Sequence, residues 1–321
     1  MKRRDFLKTG AAAGAALAVG GVHAQESGSK NQALLARRPY GKKGDRLSVI
    51  GFGGIVVVGM NQDEANRIVA QSFERGVNYY DVAPTYGNGE AETKLGPALE
   101  PYRKECFLAC KTAVRDRAGA EAEFNQSLER LKTDYFDLYQ LHAITDVAKD
   151  VDAVFADDGV MDMLIEKKKA GQIHHLGFSA HSTAAALAAM NRYGFDSALF
   201  PINYGSYFKN GWGKDIIETA QDKGVVCLAL KPLARAKWSQ GDPKRGEYPK
   251  CWYEPIVDEG EASMALRWTL SQPVAAAIPP AEAKLYLAAL DIAQGSLDIS
   301  EEEMEKLRAA SKDLDALFPV V

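Results

Sequence analysis

After the first few residues no block of lysine or arginine appears, and the formal net charge is −4 with a pI near 5.8. That leaves no electrostatic case for nucleic acid as a partner. There is no C-x-x-C pair or other metal-ligand spacing, so no metal site is expected. Only four cysteines occur. Cys106 and Cys110 fall in one predicted strand, where four residues of rise hold them roughly 13 Å apart, too far for a disulfide. Cys227 falls in another strand and Cys251 in a loop, so free, buried thiols are expected rather than a disulfide framework. No G-x-G-x-x-G follows the first strand, and Gly51, Gly53 and Gly54 have the wrong spacing for a dinucleotide phosphate turn.

What is present begins with a targeting segment. Lys2, Arg3 and Arg4 precede a weakly apolar stretch at residues 11–22, and Val22-His23-Ala24 has the small residues of a cleavage site. The stretch is too short and too rich in Gly and Ala to hold as a membrane span. "RRDFLK" resembles the twin-arginine export signal, which carries folded proteins out of the bacterial cytoplasm. Residues 1–24 are therefore expected to be removed, leaving a single domain from Gln25 onward, with the export machinery as partner and the periplasm as destination. Free thiols suit a protein that folds in the reducing cytoplasm before export.

Beyond Arg37, strands and helices alternate without a low-complexity linker. "NQDEANRIVAQSFERG" reads as a helix opened by Asn61 and closed at Gly76, and "VNYYDV", "CFLACK" and "YFDLYQLH" as near-continuous apolar strands. Eight strand and helix pairs in about 250 residues, with strands buried on both faces, predict a parallel (β/α)8 TIM barrel. "LSVIGFGG" is expected to be the first strand, and "ARRPYGKKGDRLSV" a hairpin closing the barrel bottom. "DISEEEMEKLRAASKDL" adds a C-terminal helix. Residues 234–260 form a loop far longer than usual after the seventh strand, suited to a lid or binding loop. Its Trp238, Tyr248, Trp252 and Tyr253 either stack on a ligand ring or staple the loop to the barrel.

Four polar residues fall at strand ends on one barrel face. Asp81 and Tyr86 follow the second strand, Lys111 ends the third and His142 ends the fourth. "GVNYYDVAPTYGNGEAETKLG", "FLACKT" and "LERLKTDYFDLYQLH", carrying these four in order, resemble the aldo-keto reductase superfamily. "LGFSAHS" and "VVCLALKPLA" extend the resemblance over residues 39–290. It implies hydride exchange with a nicotinamide cofactor, Tyr86 acting as general acid or base. Lys111 would lower the phenol pKa from ~10, Asp81 would hold the lysine, and His142 would orient the carbonyl oxygen.

The cofactor side implied by the resemblance is Gly53, Ser179, Asn203, Lys231, Leu233, Pro280 and Lys284, and Trp238 and Trp252 are candidates for substrate contact. It departs from the family pattern at several points. Ala180 and His181 follow Ser179, Leu199 stands where a Gln grips the nicotinamide with Asn203 as substitute, and Leu230 replaces a stacking aromatic before Lys231. After the eighth strand only Lys284 is basic and Glu282 lies beside it, so these residues do not separate NADP from NAD, though NADP is preferred. The expected function is an exported oxidoreductase of an aldehyde, ketone or sugar. The alternatives are a self-recycling sugar-modifying enzyme with tightly bound cofactor and a non-catalytic ligand-binding barrel.

Overall fold

The computed structural model describes residues 33–42 and 44–318; the expected export segment and cleavage site at residues 1–24 lie outside them. A hairpin of β1 (Arg37–Tyr40) and β2 (Asp45–Ser48) comes first, paired antiparallel as the sequence predicts. The barrel follows with β3 (Phe52–Gly53), β4 (Tyr79–Asp81), β5 (Phe107–Thr112), β6 (Phe136–Ile144), β7 (Ile173–Ala180), β8 (Ser197–Pro201) and β9 (Val226–Leu230). A small antiparallel pair, β10 (Ala234–Ala236) and β11 (Glu254–Pro255), interrupts the series before the last barrel strand, β12 (Ala276–Ile278). Barrel neighbours are parallel and follow chain order, and the ring closes where Ile50 bridges Ala277 beside β3. Two hydrogen bonds make that seam, Gly51 N–H to the Ala277 carbonyl and Ala277 N–H to the Val49 carbonyl, each 2.9 Å. The fold is the (β/α)8 barrel.

The first barrel strand is shorter than expected. Leu47 and Ser48 belong to the hairpin, and only Phe52 and Gly53 pair with β4. Ser48 turns the chain between the two: its N–H donates to Asn78 Oδ1 at 2.7 Å and its hydroxyl to the Ile50 carbonyl at 2.7 Å. Gly51 is required at this corner, because a Cβ there would lie 2.5 Å from the Tyr79 ring.

Helices α1 (Gln62–Glu74), α2 (Glu90–Leu99), α3 (Arg117–Leu131), α4 (Val160–Lys169) and α5 (Thr183–Arg192) cover the first half of the barrel. The capping box at α1, with Asn61 and Glu64 bonding each other's backbone, explains its sharp start. A short helix, α6 (Tyr204–Asn210), precedes α7 (Lys214–Lys223), and α8 (Glu259–Ser271), α9 (Ala283–Ala293) and α10 (Glu301–Ser311) complete the layer.

Two apolar layers result from the two faces of each strand. Between strands and helices lies the large core, including Phe124, Phe136, Tyr139, Phe178 and Trp268. Inside the barrel Tyr79, Phe107, Ala109, Leu138, Leu199, Leu228 and Ala276 pack together, with Tyr40 and Leu47 of the hairpin plugging the bottom. The Tyr40 hydroxyl donates to Ser197 Oγ at 2.8 Å, which ties the plug to β8. All four cysteines are free and buried.

Candidate active site

Side chains on a strand alternate faces, so the residue two places beyond a barrel-interior residue also points inward, one layer higher. From Tyr79 the step leads to Asp81, from Ala109 to Lys111, and from Leu138 to Gln140 and then His142. These polar residues form the upper interior layer, above the apolar packing.

Asp81 and Lys111 are each about 1% exposed and form an ion pair. An unsatisfied buried ion pair would be costly, but here the hydrogen bonds are nearly all filled. Lys111 Nζ donates to Asp81, to the Val82 carbonyl at 3.2 Å and to the Tyr86 oxygen at 3.3 Å, which uses all three ammonium hydrogens. The second Asp81 oxygen accepts from Gln140 Nε2 at 2.9 Å and from the Tyr79 hydroxyl at 3.3 Å. Burial opposes the lysine charge, yet Asp81 and Tyr86 outweigh it and hold the Lys111 pKa above the ordinary lysine value.

Tyr86 is aimed by a turn in which Gly87, Asn88 and Gly89 all adopt positive φ, at 60°, 53° and 88°. Glycine is needed at the last of these for conformation, at φ 88°, since the atom a Cβ would meet is the movable guanidinium end of Arg130. The His142 ring meets the Tyr86 ring edge-on at 5.6 Å. Burial first, then the nearby cations, hold the His142 pKa down at about 3, so its imidazole is neutral. Arg115 braces the end of β6 by donating to the His142 carbonyl at 2.8 Å while pairing with Asp150.

Asp81, Tyr86, Lys111 and His142 open into one cavity of about 440 Å³. Its other walls include Gly53, Ser179, His181, Leu199, Leu230, Lys231, Trp252 and Phe318. Residues 49–250 match the Aldo/keto reductase family. The chain belongs to that family. Residues 1–20 match the twin-arginine translocation signal.

Among its relatives is an uncharacterized oxidoreductase, YqkF, of Bacillus subtilis, 25% identical over 87% of this chain and 97% of that protein. A methylglyoxal reductase, YeaE, of Escherichia coli is 27% identical over 77% of this chain and 81% of its own. An aldo-keto reductase from Bacillus halodurans, solved in its holo form, superposes with a TM-score of 0.69 at 22% identity, covering 88% of this chain and 98% of that one. The family and these oxidoreductase relatives support a carbonyl-reducing oxidoreductase.

Of the residues expected on the reductase's cofactor side, Gly53, Ser179 and Lys231 line the cavity and the others do not. Asn203 caps α6 instead, accepting from the Ser206 N–H at 2.9 Å, and its Nδ2 is buried without a partner. Leu233 is buried in the outer core. Pro280 is buried between Pro279 and Ala281, which do line the cavity. Lys284 lies in the first turn of α9 with its ammonium 4.2 Å from the Tyr248 ring centroid. The long loop's aromatics divide between the two roles considered. Trp252 reaches the cavity, whereas Trp238 packs in a satellite cluster with Tyr248, Cys251 and Leu285 and donates to the Cys251 carbonyl at 2.9 Å.

Tyr253, one of the loop aromatics considered for contact with a ligand, also lines the cavity, whereas Gln140, Tyr79, Lys250 and Phe318 belong to the site or its support and the sequence reading missed them. For Gln140 a signal existed, because it stands two residues before His142 on the same strand face. Phe318 comes from beyond the last helix, where no periodicity points to it. No group of three or more metal-ligating side chains occurs among the described residues.

Proposed function

We propose that the protein is an exported NAD(P)-dependent reductase of aldehydes or ketones in which Tyr86 is the general acid. The observation that carries this reading is the hydrogen-bond order around Tyr86. Its oxygen accepts from Lys111, so its own hydrogen is free to be directed at a ligand in the cavity. A neutral His142 beside it offers a second donor to the same carbonyl oxygen. In reduction the Tyr86 O–H bond breaks and its proton goes to the carbonyl oxygen, while the ammonium of Lys111 stabilises the phenolate that remains. Asp81, fixed by Gln140 and Tyr79, keeps that ammonium in place.

The residues present suit a nicotinamide dinucleotide. Leu199 and Leu230 give apolar walls for a flat ring. Ser179 Oγ accepts from the Ala143 N–H at 2.8 Å and keeps its own hydrogen to donate. The first turn of α9 has no side-chain cap, Glu282 being engaged by the Lys250 N–H, and while the Leu285 N–H donates to the Glu282 carbonyl, the Ala283 and Lys284 N–H groups are open to a phosphate. When bound, such a cofactor supplies hydride chemistry at the carbonyl carbon. NADP is the preferred form, with Lys284 as the basic residue nearest to receive a 2′-phosphate, although Glu282 beside it would equally suit the free 2′-hydroxyl of NAD.

The mature protein would start at Gln25 and work in the periplasm, with its cofactor loaded before twin-arginine export of the folded chain. No helix among the described residues is long and apolar enough to cross a membrane. Titrating the mature protein with NADPH and NADH, after denaturing a fresh sample to detect nicotinamide already aboard, tests the reading. Tight binding or co-purified cofactor supports it. No binding at millimolar concentration leaves a non-catalytic ligand-binding barrel as the better description.

A further inference from the structure

Lys231 enters the cavity from the end of β9 in a left-handed conformation, φ 58°. Holding a residue other than glycine there is unfavourable, a strain that folds keep where surrounding structure imposes it, often at functional sites. Its side chain is 9% exposed, and no carboxylate among the described residues lies within ion-pair distance of its ammonium. The contacts present are His181 Nε2 at 3.0 Å and the Trp252 ring, 5.4 Å from Nζ to centroid.

Burial lowers the Lys231 pKa from 10.5 to about 7, so near pH 6 the side chain is an ammonium with three hydrogens to donate. His181 takes one. The His181 pKa is held at about 3 by burial and by Lys231 itself, so this imidazole is neutral and its Nε2 serves as acceptor. Two donors are left, in a cavity whose carboxylate, Asp81, is already paired with Lys111. This contrasts with Lys111, whose three hydrogens are all used within the protein. A buried amine in this condition is completed by an anion that enters from outside.

We propose that Lys231, steered by His181 and backed by Trp252, is an anion-holding subsite for a carboxylate or phosphate carried by the carbonyl substrate itself. The proposal rests on the reductase reading above, and it narrows the substrate class to acidic aldehydes and ketones. The anion belongs to the substrate rather than to a cofactor because Lys231 and His181 share the cavity with Tyr86 and His142, closely enough that both act on the His142 charge. A cofactor phosphate has a separate place open to it at the uncapped start of α9.

The test is calorimetric titration of the purified protein at about pH 6, where Lys231 carries its charge, with two acid and amide pairs, oxamate against oxamide and succinamate against succinamide. Each pair keeps shape and changes charge. Wild type should bind the acid of at least one pair about 10- to 100-fold more tightly, the range expected for a hydrogen bond to a charged group. Lys231→Met should abolish that preference, and Lys231→Arg should keep part of it. No preference in wild type, or a preference that survives in Lys231→Met, overturns the proposal. NADPH and inorganic pyrophosphate titrated into the same proteins separate the sources. If Lys231→Met weakens both of these about tenfold or more while the acid preference persists, Lys231 holds a cofactor phosphate and the proposal fails. If wild type prefers the acids yet binds neither NADPH nor NADH, the subsite stands and the reductase reading falls.

Discussion

Lys111 donates to the Tyr86 oxygen across 3.3 Å, yet the Tyr86 pKa ends above its ordinary value of 10. Burial is the larger influence and raises it, while the lysine charge pulls it down by less. The sequence suggests a lysine that makes the phenol more acidic, and in the folded chain it only limits how far burial carries the shift. The phenol is therefore protonated throughout the neutral range, the state a proton donor needs. Lys111 has its main effect later, on the phenolate left after transfer.

Tyr86→Phe removes that proton and leaves the cavity shape almost unchanged. Turnover of any carbonyl substrate should fall by about 10²- to 10⁴-fold. Nicotinamide affinity, followed by fluorescence titration, should change less than about threefold, since the hydroxyl faces Lys111 and the substrate. Full activity in this variant would remove Tyr86 from the mechanism.

Lys111→Met should cost stability as well as activity. It leaves Asp81, about 1% exposed, as an unpaired buried carboxylate, and breaking such a pair typically costs about 3–5 kcal/mol. Adding Asp81→Asn removes the stranded charge, so the double variant should recover much of the lost melting temperature while staying inactive. A double variant as unstable as Lys111→Met alone would mean that the damage comes from packing.

The eight strands and the four polar residues at their ends were legible because each rests on local pattern: apolar runs of strand length, glycine punctuation, and polar side chains at fixed places beyond them. α6 was not legible, since it spans only Tyr204–Asn210 and its cap, Asn203, looks from the sequence like a free polar group at a strand end. The hairpin inside the long loop, Ala234 against Pro255, joins residues whose intervening sequence carries no turn signal that fixes the pairing. Leu47 and Ser48 read as the start of a strand and belong to a different sheet, because tertiary bonds from Asn78 and to Ile50 bend the chain there. The pairing of His181 with Lys231 joins β7's exit to β9 across 50 residues, and no single segment announces it.

Gln140→Leu tests whether Asp81 needs its second support. Gln140 Nε2 donates to Asp81 at 2.9 Å, and Leu would leave the Tyr79 hydroxyl at 3.3 Å as the remaining partner of that oxygen. A lost hydrogen bond to a buried charge costs about 1.5–3 kcal/mol. The turnover number should drop with little change in KM, because Gln140 acts through Asp81 and Lys111 and does not line the cavity. An equal loss in Gln140→Glu would count against positioning by hydrogen bond alone, since burying a second carboxylate beside Asp81 should be far worse.

The pH dependence of stability should show the two neutral histidines. His142 and His181 both have folded pKa values near 3 against an ordinary 6.5, with burial the leading cause in each. Below about pH 6.5 the unfolded chain takes up protons that the native barrel refuses, so stability falls as pH falls through this range. Lys231, lowered by burial and by Lys111 from 10.5 to about 7, acts in the window above: its native form refuses a proton between those values, so stability there also falls as pH drops toward 7. The interval from pH 6.5 to 5.5 isolates the histidines, because aspartates and glutamates whose pKa is lowered in the fold, such as Asp196 and Glu303, begin to act only about a unit above their ordinary values near 4. Melting temperatures across that interval should decline more steeply for wild type than for His142→Gln combined with His181→Gln. Parallel curves would mean that both imidazoles accept protons in the native state, and His142 would then meet the carbonyl as a cation.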